Sequence, residues 1–453
     1  MSVIQWDKKL IEKYNINGPR YTSYPTALML SEQFEPNRIE SALRTAEDGL
    51  CLYIHLPFCH KLCYYCGCNK VVTRHQHKAD KYLNYLALEM AMYSPLVANK
   101  DIRQIHLGGG TPTFLTEAQL SRLMLLVRRY FNFIDNPEIS IEIDPRSCSD
   151  EKLRHLRTLG FNRVSYGIQD FDQKVQVAIN RVQDHDLISH QIKLSKELGF
   201  QSVNVDLIYG LPYQQPTTFS HSIKQVVTMD PDRISIFSYA HLPQRFAGQR
   251  KIPEDSIPQP SVKLQLLEQA ITQLDSAGYQ FIGMDHFARE TDGLAIAQRE
   301  GRLQRNFQGY TTDGQDALLG LGVSSISQVN GVLWQNEKEL PAYYKRLDNQ
   351  QLPVIKGISL NAEDKARAAL ISQIICHFTL DIEAFSRQWD ISNFWQHFAD
   401  AAYRLSPFIE DGLIQISAHQ LRVTDKGRLW VRSICACFDQ YLDNGQQRYS
   451  KVV

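Results

Sequence analysis

The chain has no long apolar run, no excess of charge of either sign and few cysteines, and each shortage excludes a class of protein. No stretch approaches the about 20 apolar residues of a membrane-spanning helix. The opening MSVIQWDKKLIEKYN has no continuous apolar core of the kind a secretory leader carries. A cytoplasmic protein without a membrane span is expected. The 49 basic and 49 acidic side chains cancel, which argues against nucleic-acid binding by charge alone. Nine cysteines in 453 residues, four of them between Cys59 and Cys68, do not make a secreted disulfide framework. There is no Ser-His-Asp arrangement, HExxH run, repeat or low-complexity tract. The glycines Gly108 to Gly110 are not followed by the Lys-Ser/Thr of a phosphate-cradling loop.

Against these absences stands one dense feature, Cys59-His60-Lys61-Leu62-Cys63-Tyr64-Tyr65-Cys66. A structural zinc site usually takes four ligands in separated pairs, and no second CxxC lies downstream. Soft thiolates suit iron–sulfur clusters, and three cysteines on one loop can each hold one iron of a [4Fe–4S] cube, leaving the fourth iron open for chemistry. Cys68 is by spacing alone a candidate fourth ligand, and its binding would close that position. Cys148, Cys376, Cys435 and Cys437 are scattered and read as core or surface thiols.

Short β-rich runs recur at 51–56, 104–110, 139–144, 163–169, 202–210 and 233–240. Between them, apolar residues at three- and four-residue spacing predict helices over Tyr82 to Tyr93, Glu117 to Tyr130, Ser149 to Leu159, Asp184 to Leu198 and Pro216 to Val227. Such alternation predicts an α/β fold with a parallel sheet, open or curled. Cys59, Gly109, Glu142, Asp144 and Gln169 then fall at or just after strand ends, and Asp206 lies on the fifth strand. A seventh strand is expected within 281–288. From Asn361, a candidate N-cap, the chain becomes helical, with helices over Ile382 to Trp389 and Phe394 to Leu405, a hairpin over Leu413 to Val423 and a closing helix over Gly427 to Leu442. That order is winged-helix-like, but 11 acidic and 11 basic residues from Lys356 onward argue against a DNA-binding role.

The CxxxCxxC run with Tyr65 before its last cysteine resembles the signature of the radical S-adenosylmethionine (SAM) enzymes. Together with GPRYTSYPTA (Gly18 to Ala27), CHKLCYYCGCNK (Cys59 to Lys70), HLGGGTPT (His106 to Thr113) and GMDHFA (Gly283 to Ala288), it resembles the oxygen-independent coproporphyrinogen III oxidases of haem synthesis nearly end to end. The resemblance implies a partial (β/α) barrel with its chemistry at the carboxyl ends of the strands. It implies an arm over the active site in residues 1–35, a catalytic domain in 36–355 and a mostly helical domain in 356–453. Cys59, Cys63 and Cys66 would hold a [4Fe–4S] cluster with Cys68 outside it. Gly109 and its neighbours would meet the amino group of SAM, Tyr53 and Glu142 its ribose or amine, and Ile326 its adenine. Gln169, Arg181, Asp206 and Ala240, with Tyr65, Gly110 and Thr111, would hold a second SAM. The implied reaction uses a 5′-deoxyadenosyl radical to convert two propionates of coproporphyrinogen III to vinyls. A low-potential donor such as flavodoxin or ferredoxin is the expected partner, and a monomer the expected state.

Plainer readings stand beside these. Glu142 is a carboxylate in an otherwise apolar strand and needs a partner, and Asp206 with Gln169 can be a satisfied buried polar pair. Lys61, Lys70, Arg74, Lys78 and Lys81 surround the cysteine loop, either as a solvated face or as cations for the four propionates of the substrate. Arg20, in the arm, offers a planar fork to a carboxylate. His75 and His77 read as exposed. Two other functions remain open: a haem-binding chaperone of the same superfamily, and an electron-transfer iron–sulfur protein, which normally uses four cysteines.

Overall fold

The computed structural model describes residues 4, 6–14, 18–47, 49–312 and 317–442. The chain forms two compact units, one of Leu30–Gln273 with Gln315–Ser359, the other of Met1–Met29, Leu274–Gly314 and Leu360–Val453. In the first unit six strands form in chain order: β1 (Gly49–Leu56), β2 (Asp101–Gly109), β3 (Asn132–Ile143), β4 (Arg163–Gln169), β5 (Ser202–Tyr209) and β6 (Arg233–Ser238). Each pairs in parallel with the next. Four more, β7 (Ala317–Leu321), β8 (Ile326–Val329), β9 (Val332–Asn336) and β10 (Val354–Ser359), extend the sheet beyond β1. β7 is parallel to β1, and the rest are antiparallel. Within this unit the order is β10-β9-β8-β7-β1-β2-β3-β4-β5-β6, an open, partial (β/α) barrel.

Helices form where the periodicity predicts them, and their starts are chemically marked. Thr116 caps Glu117–Tyr130 in a reciprocal capping box with Gln119, and Ser149 and Asp184 cap Asp150–Thr158 and His185–Glu197. Apolar and polar side chains alternate along the middle of most of the parallel strands. Leu52, Ile54, Leu56, Ile105, Leu107, Ile139, Ile141, Val203, Val205 and Leu207 are buried, each worth about 1.5–3 kcal/mol on leaving water. The residues between them, Tyr53, His106, Ser140, Glu142, Ser165, Asn204 and Asp206, are polar and only half-buried. Register aligns Tyr53 with His106 and His106 with Ser140, then Glu142 with Ser165 and Ser165 with Asn204, so the polar set forms rows across one face.

The second unit holds Lys8–Tyr14, the helices Ala362–His377, Ile382–Gln388, Phe394–His397, Ala399–Glu410 and Val431–Ala436, and a three-stranded sheet of Thr379–Asp381, Ile414–Ile416 and Gln420–Val423. Asn361 caps its helix in a capping box with Asp364, as expected. Three expectations differ. Residues 281–288 are not one strand. Tyr279–Gly283 and His286–Arg289 form an antiparallel hairpin, reversed where Met284 takes a left-handed φ of 52°, and β7 is the strand that lies beside β1. The helix expected over 394–405 breaks at Phe398, which leaves the helical region. The closing helix is a 3-10 segment, Asp425–Trp430, followed by Val431–Ala436, and residues 443–453 lie outside the described set. The arm residues are also engaged: Arg20 is ion-paired with Asp285, Arg432 donates to the carbonyls of Gly18 and Pro19, and the Tyr21 hydroxyl meets Asp439 at 3.0 Å.

One buried charge ties the first unit together. Glu89, on the helix His77–Tyr93, is fully buried and accepts from Gly322 N at 2.7 Å, Asn336 Nδ2 at 2.6 Å and the Tyr343 hydroxyl at 2.6 Å. Burial, outweighing those donors, pushes its carboxyl from 4.5 up to about 7. The folded chain therefore holds the proton that the unfolded chain releases between those values. The contribution of this carboxyl to stability is full below about pH 4.5 and falls by about 3 kcal/mol as the pH rises through about 7. Glu89→Gln should flatten that slope in urea unfolding of the metal-free chain. An equal slope in both proteins would exclude Glu89 as its source.

Candidate active site

The cysteine loop is almost devoid of regular structure, so its shape is imposed from outside. It leaves β1 through Phe58–Cys59, which pairs in parallel with Val71–Val72 and closes the loop at its base. Its carbonyls are then taken one by one: Leu62 O by Asn180 Nδ2 at 2.7 Å, Tyr65 O by Gln249 Nε2 at 2.9 Å, Cys66 O by Lys70 Nζ at 3.0 Å and Asn69 O by His55 Nε2 at 2.9 Å. The amide of Tyr64 donates to Ile179 O at 2.9 Å. Because Asn69 O is an acceptor, His55 carries its proton on Nε2, and Nδ1 accepts from the Tyr53 hydroxyl at 3.0 Å. Burial holds the His55 pKa down and the ring neutral.

The cysteines divide by the direction of their hydrogen bonds. Cys59 Sγ accepts from the Thr111 hydroxyl at 3.4 Å, Cys66 Sγ from the Cys68 amide at 3.4 Å, and Cys63 Sγ from Arg181 Nη1 at 3.5 Å and Arg146 Nη2 at 3.6 Å. The thiols of Cys51, Cys148, Cys435 and Cys437 instead donate to oxygen. An accepting sulfur is one whose thiolate is stabilised. A hydrogen bond from the Cys68 side chain, against burial and with help from the Lys70 charge and the Cys68 amide, lowers the Cys66 thiol to about 6. Burial pushes Cys59 up to about 11, so metal binding there displaces a proton.

These sulfurs open onto a cavity of 230 Å³ at the carboxyl ends of the strands. The wall includes Tyr65, Gly109, Gly110 and Thr111, together with Glu142, Gln169, Arg181 and Asp206. Glu142 accepts weakly, from Gly109 N at 3.3 Å and His106 Nε2 at 3.4 Å, and its side chain is 45% exposed. The partner that its strand context demanded is thus only partial, and the carboxylate faces the cavity. Asp206 is bound to Ser165 and Asn204 at 2.9 and 2.8 Å rather than to Gln169, and burial followed by the Glu142 charge raises it to about 6.

Three expected residues are not on the wall. Tyr53 approaches Glu142 across Gly108, where a Cβ would lie 3.1 Å from both side chains. Ile326 O sits against Gly320, the register partner of Tyr53. Ala240 O shares Gln249 Nε2 with Tyr65 O. Lys70, expected on a solvated face or at a propionate, instead grips the loop. His75 and His77 are exposed. Sequence reasoning missed Arg146 and His55, whose only local signals are an arginine two residues after Asp144 and a histidine two residues after Tyr53.

The strand-end cavity and accepting sulfurs agree with what the chain is similar to. A model described as the Radical SAM superfamily matches residues 53–226, and one described as the HemN C-terminal domain matches 360–430. Oxygen-independent coproporphyrinogen III oxidase of Salmonella typhimurium is 51% identical over 453 residues, covering 99% of each chain. The enzyme of that name from Pseudomonas aeruginosa is 45% identical, covering 100% of both. The solved structure of coproporphyrinogen III oxidase (HemN) from Escherichia coli, a radical SAM enzyme, matches at a TM-score of 0.93 and 50% identity, covering 97% of this chain and 100% of that one. The chain belongs to the oxygen-independent coproporphyrinogen III oxidase family.

A [4Fe–4S] cluster and SAM are the cofactors of this family's superfamily, and the residues present fit them. Among the described residues no three metal-binding side chains converge where a single ion would sit. A cube does not require that, since each cysteine holds a different iron. Three accepting sulfurs beside an open carboxylate supply thiolates and an amine partner, and Arg181 Nε is buried without a partner among the described residues.

The loop fits only if its glycine neighbour stays small. A Cβ at Gly110 would lie 2.7 Å from Pro57 C and O and 2.9 Å from Phe58 O, all backbone. Gly110→Ala should displace the loop at a cost of about 1–3 kcal/mol, and so weaken iron retention about tenfold against a chelator. Retention equal to that of the parent would show that the loop has slack.

Proposed function

We propose that this chain decarboxylates the ring A and B propionates of coproporphyrinogen III to vinyls without oxygen, giving protoporphyrinogen IX in haem synthesis. The observation that carries the reading is the set of three accepting sulfurs on a strand-end cavity, in a chain about half identical end to end to enzymes of that name. Residues 36–355 act as the catalytic domain. Cys59, Cys63 and Cys66 hold the cluster. Tyr53, Gly109, Glu142 and Ile326 serve one SAM, while Tyr65, Gly110, Thr111, Gln169, Arg181, Asp206 and Ala240 serve a second. Bound there, the cofactors supply one-electron cleavage of a sulfonium to a carbon radical that takes a hydrogen atom.

The protein's own share is orientation and exclusion of water. Glu142 is open enough to receive an ammonium group, and the Thr111 hydroxyl and Cys68 amide are committed to sulfur rather than to substrate. Each propionate loses one hydrogen atom to the carbon radical, then carbon dioxide, and one electron to an external one-electron acceptor, and two propionates match two SAM molecules. A low-potential flavodoxin or ferredoxin supplies electrons, and the enzyme acts as a monomer in the cytoplasm. Among the described residues, no helix is long and apolar enough to cross a membrane.

The test is anaerobic. Cluster-reconstituted protein with reductant, SAM and coproporphyrinogen III should form protoporphyrinogen IX and 5′-deoxyadenosine together, and Cys59→Ser should lose both along with its iron. 5′-Deoxyadenosine without porphyrinogen turnover would keep the radical chemistry and discard the substrate. Neither product, with tight haem binding, would favour a haem chaperone. Cys68→Ser should keep full iron, because Cys68 meets Cys66 as a hydrogen-bond donor, through its backbone amide and its side chain, and a serine keeps both donors. Iron loss in that variant would make Cys68 a ligand.

A further inference from the structure

Of the three loop sulfurs, Cys63 alone receives arginine donors, and one carboxylate holds both of them. Asp144-Pro145-Arg146 forms a tight 3-10 turn in which the Asp144 carboxylate accepts the Arg146 amide at 3.1 Å. The turn folds the Arg146 side chain back, so that Nε meets Asp144 Oδ1 at 2.9 Å and Nη2 meets Oδ2 at 2.7 Å, a two-pronged pair. That same Nη2 reaches Cys63 Sγ. From the other side Arg181 Nη1 touches Asp144 Oδ2 at 3.2 Å and the same sulfur at 3.5 Å, while Nη2 is anchored on Gly167 O at 2.5 Å.

One carboxylate thus holds together two guanidiniums that would otherwise repel. The side chains of Arg146, Arg181 and Asp144 are only 18%, 8% and 12% exposed. The trio leaves one uncompensated positive charge, placed on a sulfur in a region of weak screening. Cys59, by contrast, receives a neutral hydroxyl, and Cys66 an amide with the Lys70 cation beside it. Asp144 and Arg181 line the cavity, whereas Arg146 does not, so Arg146 meets the chemistry only through Cys63 and Asp144.

We propose that Arg146 is a positioning residue that, braced by Asp144, sets the reduction potential of the cluster through the Cys63 sulfur. Net charge and hydrogen bonds to sulfur are the levers by which a protein moves such a potential. Reduction adds one negative charge to a group that already carries thiolates. A positive charge beside Cys63 favours the reduced form, and the carboxylate limits how far. Removing the guanidinium therefore lowers the potential, and removing the carboxylate raises it. The inference rests on Cys63 being a cluster ligand.

The test is a redox titration of the reconstituted full-length protein without SAM, the electron coming from the titrant. Iron and sulfide content and the midpoint, followed by electron paramagnetic resonance, are read for the parent, Arg146→Gln and Asp144→Asn. Full clusters in all three, with the midpoint more negative in Arg146→Gln and more positive in Asp144→Asn, are expected. Parent midpoints in both variants, or shifts of one sign, would reduce the trio to a scaffold and overturn the inference while leaving the function standing. If Arg146→Gln cannot hold iron, Asp144→Asn decides: an upward shift supports the inference and any other result overturns it. Loss of iron from both, with the fold intact by circular dichroism, also overturns it. A parent that binds no cluster would defeat the functional reading instead.

Discussion

Three sulfurs on a loop without regular structure can hold a fixed geometry only if something rigid holds the loop, and here that something is the rim of a parallel sheet. The loop's own amides and carbonyls make few bonds among themselves, such as Cys66 N to Cys63 O at 3.3 Å. Its anchors come from His55 on β1, Asn180 beyond β4 and Gln249 beyond β6. Each anchor is positioned by a strand, and each strand by its register. A one-residue slip would exchange the apolar and polar faces of a strand, moving Glu142 and Asp206 away from the cavity and stranding an apolar neighbour such as Ile141 there. The chemistry of the loop and the pairing of the sheet are therefore one constraint.

The same alternation explains how a polar face survives in the middle of a protein. An unpartnered buried polar group costs about 1–3 kcal/mol, and this face avoids most of that cost by internal pairing. Asn204 bridges Ser165 and Asp206, and His106 meets Ser140 at 2.7 Å. Glu142 is the member left with long contacts and an exposed carboxylate. The face is satisfied where it only has to be stable and open where a ligand would enter.

How much of this was legible in the sequence follows from how local each signal is. The six strands, the cap Asn361, and the strand-end positions of Gly109, Glu142 and Gln169 were legible because period, cap and motif are set within a few residues. β7 was not, because a five-residue apolar run after a hairpin does not announce which strand it will join. Lys70 was read as a solvated cation or a partner for propionates, and its grip on the Cys66 and Cys68 carbonyls was missed because that role depends on how the loop folds back. Arg20 was assigned a substrate carboxylate, and the structure pairs it with Asp285, 265 residues away in sequence. The break at Phe398 was hidden in a helix-like pattern that runs through it.

The chain's neutrality conceals where its charge is spent. With 49 cations against 49 anions, composition has no lever on any one site, yet around Cys63 two buried guanidiniums face a single carboxylate. A buried ion network of this kind is a weak source of stability, because desolvating three charges consumes most of what their attraction returns. Apolar side chains of similar size would serve a scaffold as well. What apolar side chains cannot do is direct two guanidiniums at one chosen sulfur and none at the other two. That asymmetry makes the network more intelligible as a setting of the site's electrostatics than as a brace for the fold.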